Sequence, residues 1–306
     1  MIVEDEGAVT ELERRITHGT ELLLASITQG HQGFMPLAFD TLSKAIDIVD
    51  LVGVEEQDEE LVSIAYHNRG IIRCLRLEQE ESIEDFTHAI AWTISPASSR
   101  YAHAQALLCA GDIEQAHDDI AQVIKERHPS YLADAVYVRG FIRSETEDLN
   151  GAIRDLKSAI RLGISHVGVF ATLAKCYALK GGWEMAAQLW TSISPSLEND
   201  DSGFLIVHNQ GIIQMGLGIY EHALDTLQAN PYKKGNERFV NVTIAGCLYR
   251  MGLKDQAGKK MRELDMQEDE IEFILSDELL VPVDMLHEDY RPRIFGDGRQ
   301  FKGGQN

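Results

Sequence analysis

The sequence lacks the cysteine patterns that mark zinc, redox and disulfide-rich proteins. Its four cysteines lie far apart and include no Cys-x-x-Cys pair; they are Cys74, Cys109, Cys176 and Cys247. Metal-binding and redox cysteines usually occur at short, regular spacings. We therefore expect all four to be small buried hydrophobic residues, and we expect neither a metal site nor a cofactor.

The chain also lacks a long apolar run. No segment approaches the roughly 18 consecutive apolar residues that a membrane-spanning helix needs. The first residues, Met1 to Glu6, have neither the basic nor the apolar region of a signal peptide. These features predict a cytoplasmic protein without a membrane partner.

Basic residues are scarce. The chain has 28 Lys and Arg against 49 Asp and Glu, and its net charge is −21. The acids are concentrated at the ends, because residues 1–62 hold 14 acids and 3 bases and residues 268–290 hold 9 acids without any Lys or Arg. Such ends would repel phosphate groups, so we expect no nucleic-acid partner. They either meet a basic region of a protein partner or simply keep the ends soluble, and the sequence leaves both interpretations open.

What the sequence does contain is a repeat. Two small residues twelve positions apart recur as Gly70 with Ser82, Ala104 with Ala116, Gly140 with Ala152, Ala174 with Ala186, Gly211 with Ala223 and Ala245 with Ala257. The second members are separated by 34, 36, 34, 37 and 34 residues. A period near 34 is typical of stacked helical hairpins, which form one continuous solenoid.

One unit displays the hairpin pattern most fully. Apolar residues from Phe170 to Tyr177 follow helical spacing, Gly181 and Gly182 interrupt them, and a second apolar stripe begins at Trp183. The unit resembles a tetratricopeptide repeat through Phe170, Leu173, Ala174, Tyr177, Gly181, Trp183, Ala186 and Trp190. Residues 63–96 and 133–166 are similar to the same family.

The resemblance implies an all-α fold, a right-handed superhelical solenoid of about seven hairpins. The expected units lie near residues 19–52, 63–96, 97–130, 133–166, 167–200, 204–237 and 238–271. We expect an acidic segment over 1–18, a capping helix over 272–285, and a basic, aromatic tail over 286–306 that either frays or docks on a protein surface. The first unit matches the repeat pattern least. Its first helix is expected near 20–29, and an acidic connection near 53–62 separates it from the second unit.

In the family, the first helix of each hairpin lines a concave surface. This mapping predicts an apolar and aromatic groove for a partner, with the candidate residues His67, Ile71, Tyr101, Gln105, Tyr137, Phe141, Lys175, His208, Ile212 and Met215. Aromatic side chains supply large contact area, but some of these residues are equally well explained by packing between neighbouring first helices. His67-Asn68 and His208-Asn209 also occupy equivalent positions in their repeats. Either the likeness reflects the divergence of related repeats, or the pairs make polar contacts with a peptide backbone.

The sequence offers no catalytic motif. No His-x-x-x-His, Gly-x-Ser-x-Gly or phosphate-binding glycine loop is present. We therefore predict a non-enzymatic scaffold, adaptor or chaperone-like protein that holds a partner peptide in the groove. The alternative is a regulator whose solenoid closes on a peptide. The lysine, asparagine and arginine clamp with which some family members hold chaperone tails is not reproduced, because Asp134 and Val138 stand where Lys and Arg are needed. Oligomeric state does not follow from the sequence.

Overall fold

The computed structural model describes residues 6–29, 34–52, 59–193, 203–229 and 237–263. Every regular element within these ranges is a helix. The fourteen helices are α1 (Glu6–Gln29), α2 (Phe34–Val52), α3 (Glu59–Leu75), α4 (Gln79–Ala91), α5 (Ala97–Ala110), α6 (Ile113–Glu126), α7 (Leu132–Glu145), α8 (Leu149–Arg161), α9 (Val167–Leu179), α10 (Trp183–Ile193), α11 (Gly203–Gly216), α12 (Tyr220–Ala229), α13 (Glu237–Arg250) and α14 (Lys254–Arg262). The predicted all-α fold is confirmed.

The helices pack in the order of the chain. Contacts join α1 with α2, α3 with α4, α5 with α6, α9 with α10, α11 with α12 and α13 with α14, and Gly140 of α7 lies against Leu156 of α8. Second helices also contact the following first helix, for example α2 with α3 and α12 with α13. The predicted solenoid of helical hairpins is confirmed, and its handedness stays a prediction.

The described residues form two compact units. Unit 1 runs to Arg139, and unit 2 begins at Gly140, so the division falls inside helix α7 and not in a linker. The unit 1 core includes Leu42, Ile72 and Phe86. In unit 2, one cluster surrounds Trp190 and another contains Leu227.

One packing rule explains the small residues of the repeat. A Cβ atom added at Gly70 would lie 2.9 Å from the Phe86 ring, and one at Gly211 would lie 2.6 Å from Leu227. Each large residue follows the small residue of its own second helix by four positions, one helical turn. The residues at this register are all buried, and they are Leu42, Phe86, Ile120, Leu156, Trp190, Leu227 and Met261. Glycine therefore allows the two helices to approach closely.

The first hairpin obeys the same rule at a different spacing. Gly19 faces Leu42, 23 residues later, whereas Gly70 and Phe86 are 16 apart. The seven additional residues correspond to about two helical turns, shared between the long helices α1 and α2. Helix α1 consequently begins at Glu6, ahead of the expected start near residue 20, and contains most of the segment 1–18. Helix α3 begins at Glu59, so the last part of the expected connection 53–62 is helical.

Each first helix from α3 to α13 is followed, one or two positions after its last residue, by a residue with positive φ. Four of these residues are glycines, Gly111, Gly181, Gly218 and Gly252, and two are not, Leu77 and Glu147, both with φ 64°. The backbone then closes the helix, as when Asp112 N donates to Leu107 O over 2.9 Å. Asp112 also caps α6, because its side chain accepts from Gln115 N.

Replacing Leu77 with glycine is expected to stabilise unit 1. The left-handed conformation costs a residue with a side chain about 1–2 kcal/mol, and glycine removes that cost. Glycine also increases the conformational entropy of the unfolded chain, which offsets part of the stabilisation. Leu77 is 76% exposed, so little apolar burial is lost. Urea unfolding should give a net gain of about 0.5–1 kcal/mol. Gly181→Ala is the matched control and should lower stability; a fall for both variants would refute the strain at Leu77.

Several expected segments lie outside the described residues. They are the capping helix over 272–285, the tail over 286–306 and the first five residues of the chain. Among the helices that are described, none combines the length and the apolar character that crossing a membrane requires.

Candidate functional site

The structure places all ten predicted groove residues on first helices. In unit 1, His67 and Ile71 lie on α3, Tyr101 and Gln105 on α5, and Tyr137 on α7. In unit 2, the positions on α7, α9 and α11 are Phe141, Lys175, His208, Ile212 and Met215. Nine of the ten are buried, and only His67 is partly exposed. Burial favours the packing interpretation that the sequence had left open.

In unit 1 these residues bond to one another and to their neighbours. Gln105 Nε2 donates to the Tyr101 hydroxyl over 3.0 Å, and the Tyr101 ring lies 5.9 Å from that of Tyr131. His67 Nδ1 is 3.1 Å from Ser99 Oγ. Burial lowers the pKa of His67 to about 4, so its ring is neutral near pH 7. The arrangement holds α3 and α5 together.

In unit 2 the predicted residues are equally enclosed. Lys175 Nζ pairs with Glu145 Oε1 at 3.0 Å, so a charge expected to face a partner is neutralised within the protein. His208 and Ile212 are fully buried, and burial lowers the pKa of His208 to about 4. These side chains fix first helices α9 and α11 in place.

The two His-Asn pairs have different surroundings. Asn68 Nδ2 donates to Thr20 Oγ1 over 2.8 Å and so links α3 to α1. Asn209 is fully buried, yet neither its amide nitrogen nor its oxygen has a hydrogen-bond partner among the described residues. An unsatisfied buried amide costs about 1–3 kcal/mol. Asn68 is therefore structural, and the fully buried Asn209 is not accessible to a partner chain.

The ends of the first helices expose apolar side chains. Leu75 of α3 and Leu179 of α9 are each 41% exposed. Both follow the small residue of their helix, Gly70 or Ala174, by five positions. Ile64, near the start of α3, is also exposed. The exposed apolar side chains of α3 and α9 thus stand at registers that the sequence analysis did not select.

Sequence reasoning also missed a row of acids on the second helices, of which Asp85 and Asp155 are buried and Asp119 is partly exposed. Asp85 accepts from Arg69 over 2.6 and 2.9 Å and pairs with Arg73 at 3.0 Å. The equivalent contacts in the next units join Asp119 to His103 at 2.5 Å and Asp155 to Arg143 at 2.7 Å. Each aspartate follows the small residue of its helix by three positions. That recurring spacing was the available signal, and the contacts lock each hairpin internally.

The contacts of His103 bear on the possibility of catalysis. Its Nδ1 atom meets Asp119, and its Nε2 atom is 3.4 Å from the Thr87 hydroxyl, an order that resembles an acid, base and nucleophile. However, the Thr87 hydroxyl donates its hydrogen to Ile83 O over 2.9 Å. A hydroxyl whose proton is held by a backbone carbonyl cannot pass it to His103, so the geometry does not favour a nucleophilic threonine.

Three of the four cysteines lie in environments that suppress reactivity. Burial raises the thiol pKa of Cys74 and Cys247 to about 11 and that of Cys176 to about 12. Cys109 is partly exposed. A thiol with a raised pKa is a poor nucleophile and metal ligand. Within the described ranges, no group of three or more His, Cys, Asp or Glu is placed to hold a metal ion.

The two glycines of Gly216-Leu217-Gly218 have a structural role. A Cβ atom at Gly216 would lie 2.2 Å from the Trp183 ring, so the glycine makes room for that side chain between α10 and α11. Gly218 has φ 75° and closes the hairpin turn. The motif therefore gives no evidence of nucleotide binding.

Comparisons with known proteins identify the fold. No protein-family model and no curated protein matches the sequence. A tetratricopeptide repeat protein from Parabacteroides merdae is similar in structure, with TM-score 0.57, 14% identity, and coverage of 85% of this chain and 98% of that one. The type IV pilus biogenesis factor PilW gives TM-score 0.58 and 16% identity over 72% and 95% of the two chains. The APC/C hetero-tetramer Cut9-Hcn1 gives 0.60 and 15% over 86% and 47%.

Proposed function

We propose that this chain, which has the tetratricopeptide-repeat fold, is a non-enzymatic scaffold or adaptor that binds another protein. The observation that carries the proposal is the repeated exposure of leucine at one register of the first helices, at Leu75 in unit 1 and Leu179 in unit 2. Exposed apolar side chains at equivalent positions offer a partner several similar contacts. Two similar folds support it, since Cut9 is found in a hetero-tetramer with Hcn1 and PilW is a pilus biogenesis factor.

The proposed contact surface combines exposed and buried residues. In unit 1, Leu75 and Ile64 would contact an apolar residue of the partner, and in unit 2 Leu179 would do the same, while the ten predicted groove residues hold the first helices in position. His67 is partly exposed and can accept or donate one hydrogen bond. A chaperone-like role, a cytoplasmic location and a basic region meeting the acidic ends belong to the same proposal.

The test is a capture experiment with surface variants. Wild-type protein and the double variant Leu75→Glu, Leu179→Glu are immobilised, and bound proteins from a lysate of the source cells are quantified by mass spectrometry. We expect the partners of the wild type to fall by about tenfold or more with the double variant, because a carboxylate placed in an apolar contact must lose its hydration. Circular dichroism checks that both proteins remain folded.

The control removes a leucine-sized exposed side chain elsewhere. Ile94, in the connection between α4 and α5, is 99% exposed, and Ile94→Glu should leave the captured set unchanged. Equal losses with the control would mean that added negative charge, and not the first-helix surface, reduces binding. An unchanged set with the double variant would refute the proposed surface.

A further inference from the structure

Helix α8 in unit 2 exposes a row of basic side chains. Arg154, Lys157 and Arg161 are all exposed, and Asn150 is exposed one turn ahead of them. Their spacing of four, three and four residues places them on one helix face. Lys180 Nζ donates to Asn150 Oδ1, which brings a fourth positive charge to the start of the row. The distance along the axis from Asn150 to Arg161 is about 16 Å.

Within α8 the row has no exposed acid beside it, and the exposed acids Glu147 and Asp148 lie just ahead of the helix. The helix buries Ala152, Leu156 and Ala159, and its single aspartate, Asp155, is buried and pairs with Arg143. No described carboxylate forms an ion pair with Arg154, Lys157 or Arg161. Lys157 Nζ lies 5.3 Å from the centre of the Tyr177 ring, which holds the ammonium group over an aromatic face. The row is therefore a patch of positive charge on a chain of net charge −21.

The other second helices of unit 2 present different charges. Helix α10 exposes Glu184, and α12 exposes Glu221 and Asp225. Helix α14 exposes several bases, but it also exposes Asp255 and is followed in sequence by the nine acids of 268–290. Within α8 no acid is exposed, because Asp155 is buried, whereas Asp255 is exposed within α14. The face of α8 is thus the part of unit 2 best suited to an anionic partner.

We propose that the exposed face of α8 docks an acidic segment of a partner protein. A helix with carboxylates three or four residues apart repeats at the spacing of Arg154, Lys157 and Arg161, so it can pair with them one to one. Leu162, exposed directly after the row, offers an apolar contact at its end. The inference rests on the proposed function as a protein-binding scaffold, but it assigns a surface distinct from Leu75 and Leu179.

Charge complementarity favours an acidic protein over nucleic acid. Duplex DNA carries one negative charge per roughly 1.7 Å and would extend far beyond a patch of this length. The strongly acidic remainder of the chain would repel that excess, whereas a short acidic segment matches the patch and ends there. Nucleic acid is therefore an outcome of the test and not part of the inference.

The experiment measures binding of a labelled peptide to the full chain by fluorescence anisotropy. The probe is a helical Ala-rich peptide with glutamate at every third or fourth position. We expect binding that weakens by about tenfold or more between low and high salt, and by about tenfold or more when Arg154, Lys157 and Arg161 are all changed to glutamine. Absence of binding to the wild-type chain would overturn the inference.

Matched controls separate the possible causes. Lys254→Gln, Lys259→Gln, Arg262→Gln removes the same number of charges from α14 and should leave binding unchanged; an equal loss would show that only net charge matters and overturn the α8 site. Tighter binding of a DNA oligonucleotide than of the peptide would also overturn it. The inference would also be overturned if sedimentation showed that the wild-type chain self-associates and that the α8 glutamine variant is a monomer. The Leu75→Glu, Leu179→Glu variant should retain peptide binding, so failure of the proposed function is seen separately.

Discussion

Changing Asp85 to alanine is expected to destabilise unit 1 by about 3–5 kcal/mol, because removal of one partner from a buried ion pair leaves the other charge uncompensated. The side chain of Asp85 is 1% exposed and contacts two guanidinium groups, those of Arg69 and Arg73. Burial alone would lower the pKa of Arg69, but the hydrogen bonds and the charge of Asp85 raise it above its ordinary value. Urea unfolding followed by circular dichroism measures the loss.

Asp118→Ala is the control for this prediction. Asp118 also lies on a second helix of unit 1, but its side chain is 84% exposed and its ion contact is with the adjacent His117 at 3.8 Å. We expect a change within about 0.5 kcal/mol, as for exposed ion pairs in general. If Asp85→Ala were as mild as Asp118→Ala, water or a rearranged side chain would be solvating the two arginines, and the hairpin lock would be refuted.

The hairpins could be predicted from sequence because the repeat encodes their closest contacts. Gly70 and Ser82 mark the two helices of one hairpin, and the same pair recurs wherever the hairpin has standard length. The first hairpin does not show the twelve-residue spacing, because its small residues Gly19 and Ala38 are 19 positions apart. A period search cannot register an insertion of about two turns that leaves the helix contact unchanged.

The exposure of individual groove positions could not be predicted in the same way. The register of Tyr101 and Gln105 places them on a first helix, but whether they face solvent depends on which neighbours fill the space around them. Gln105 donates a hydrogen bond to the Tyr101 hydroxyl, and the Tyr101 ring packs against the ring of Tyr131. The first contact lies within α5, but the second joins α5 to the residue before α7 and depends on tertiary packing, which a single sequence with no alignment does not reveal.

Some of the charged contacts could have been predicted from the sequence. The aspartates at 85, 119 and 155 recur at one register, so a comparison of charges between units would have identified them. Their partners are less regular, since Arg69 is replaced by His103 in the next unit. The basic row on α8 could likewise be read from helical spacing, but its lack of partners became evident only from the folded contacts.

The second large effect is expected when Phe86 is changed to alanine. Phe86 is fully buried between its hairpin partner and the rest of the unit 1 core. Loss of a buried aromatic ring costs about 3–5 kcal/mol, from lost transfer free energy and the cavity that remains. Ile94→Ala, at an exposed position, should change stability by less than about 0.5 kcal/mol. Hydrogen exchange should locate the loosening in α3 and α4, since repeats contact mainly their neighbours.

A double-mutant cycle with Gly70 tests the packing rule itself. In the wild-type background, Gly70→Ala places a methyl group about 2.9 Å from the Phe86 ring, so the clash should outweigh the better helix propensity of alanine. In the Phe86→Ala background the same methyl group enters the cavity, and the substitution should raise the free energy of unfolding. The sign of the effect should therefore reverse. Equal effects of Gly70→Ala in both backgrounds would mean that the glycine does not set the helix approach, and the small-residue repeat would need another physical explanation.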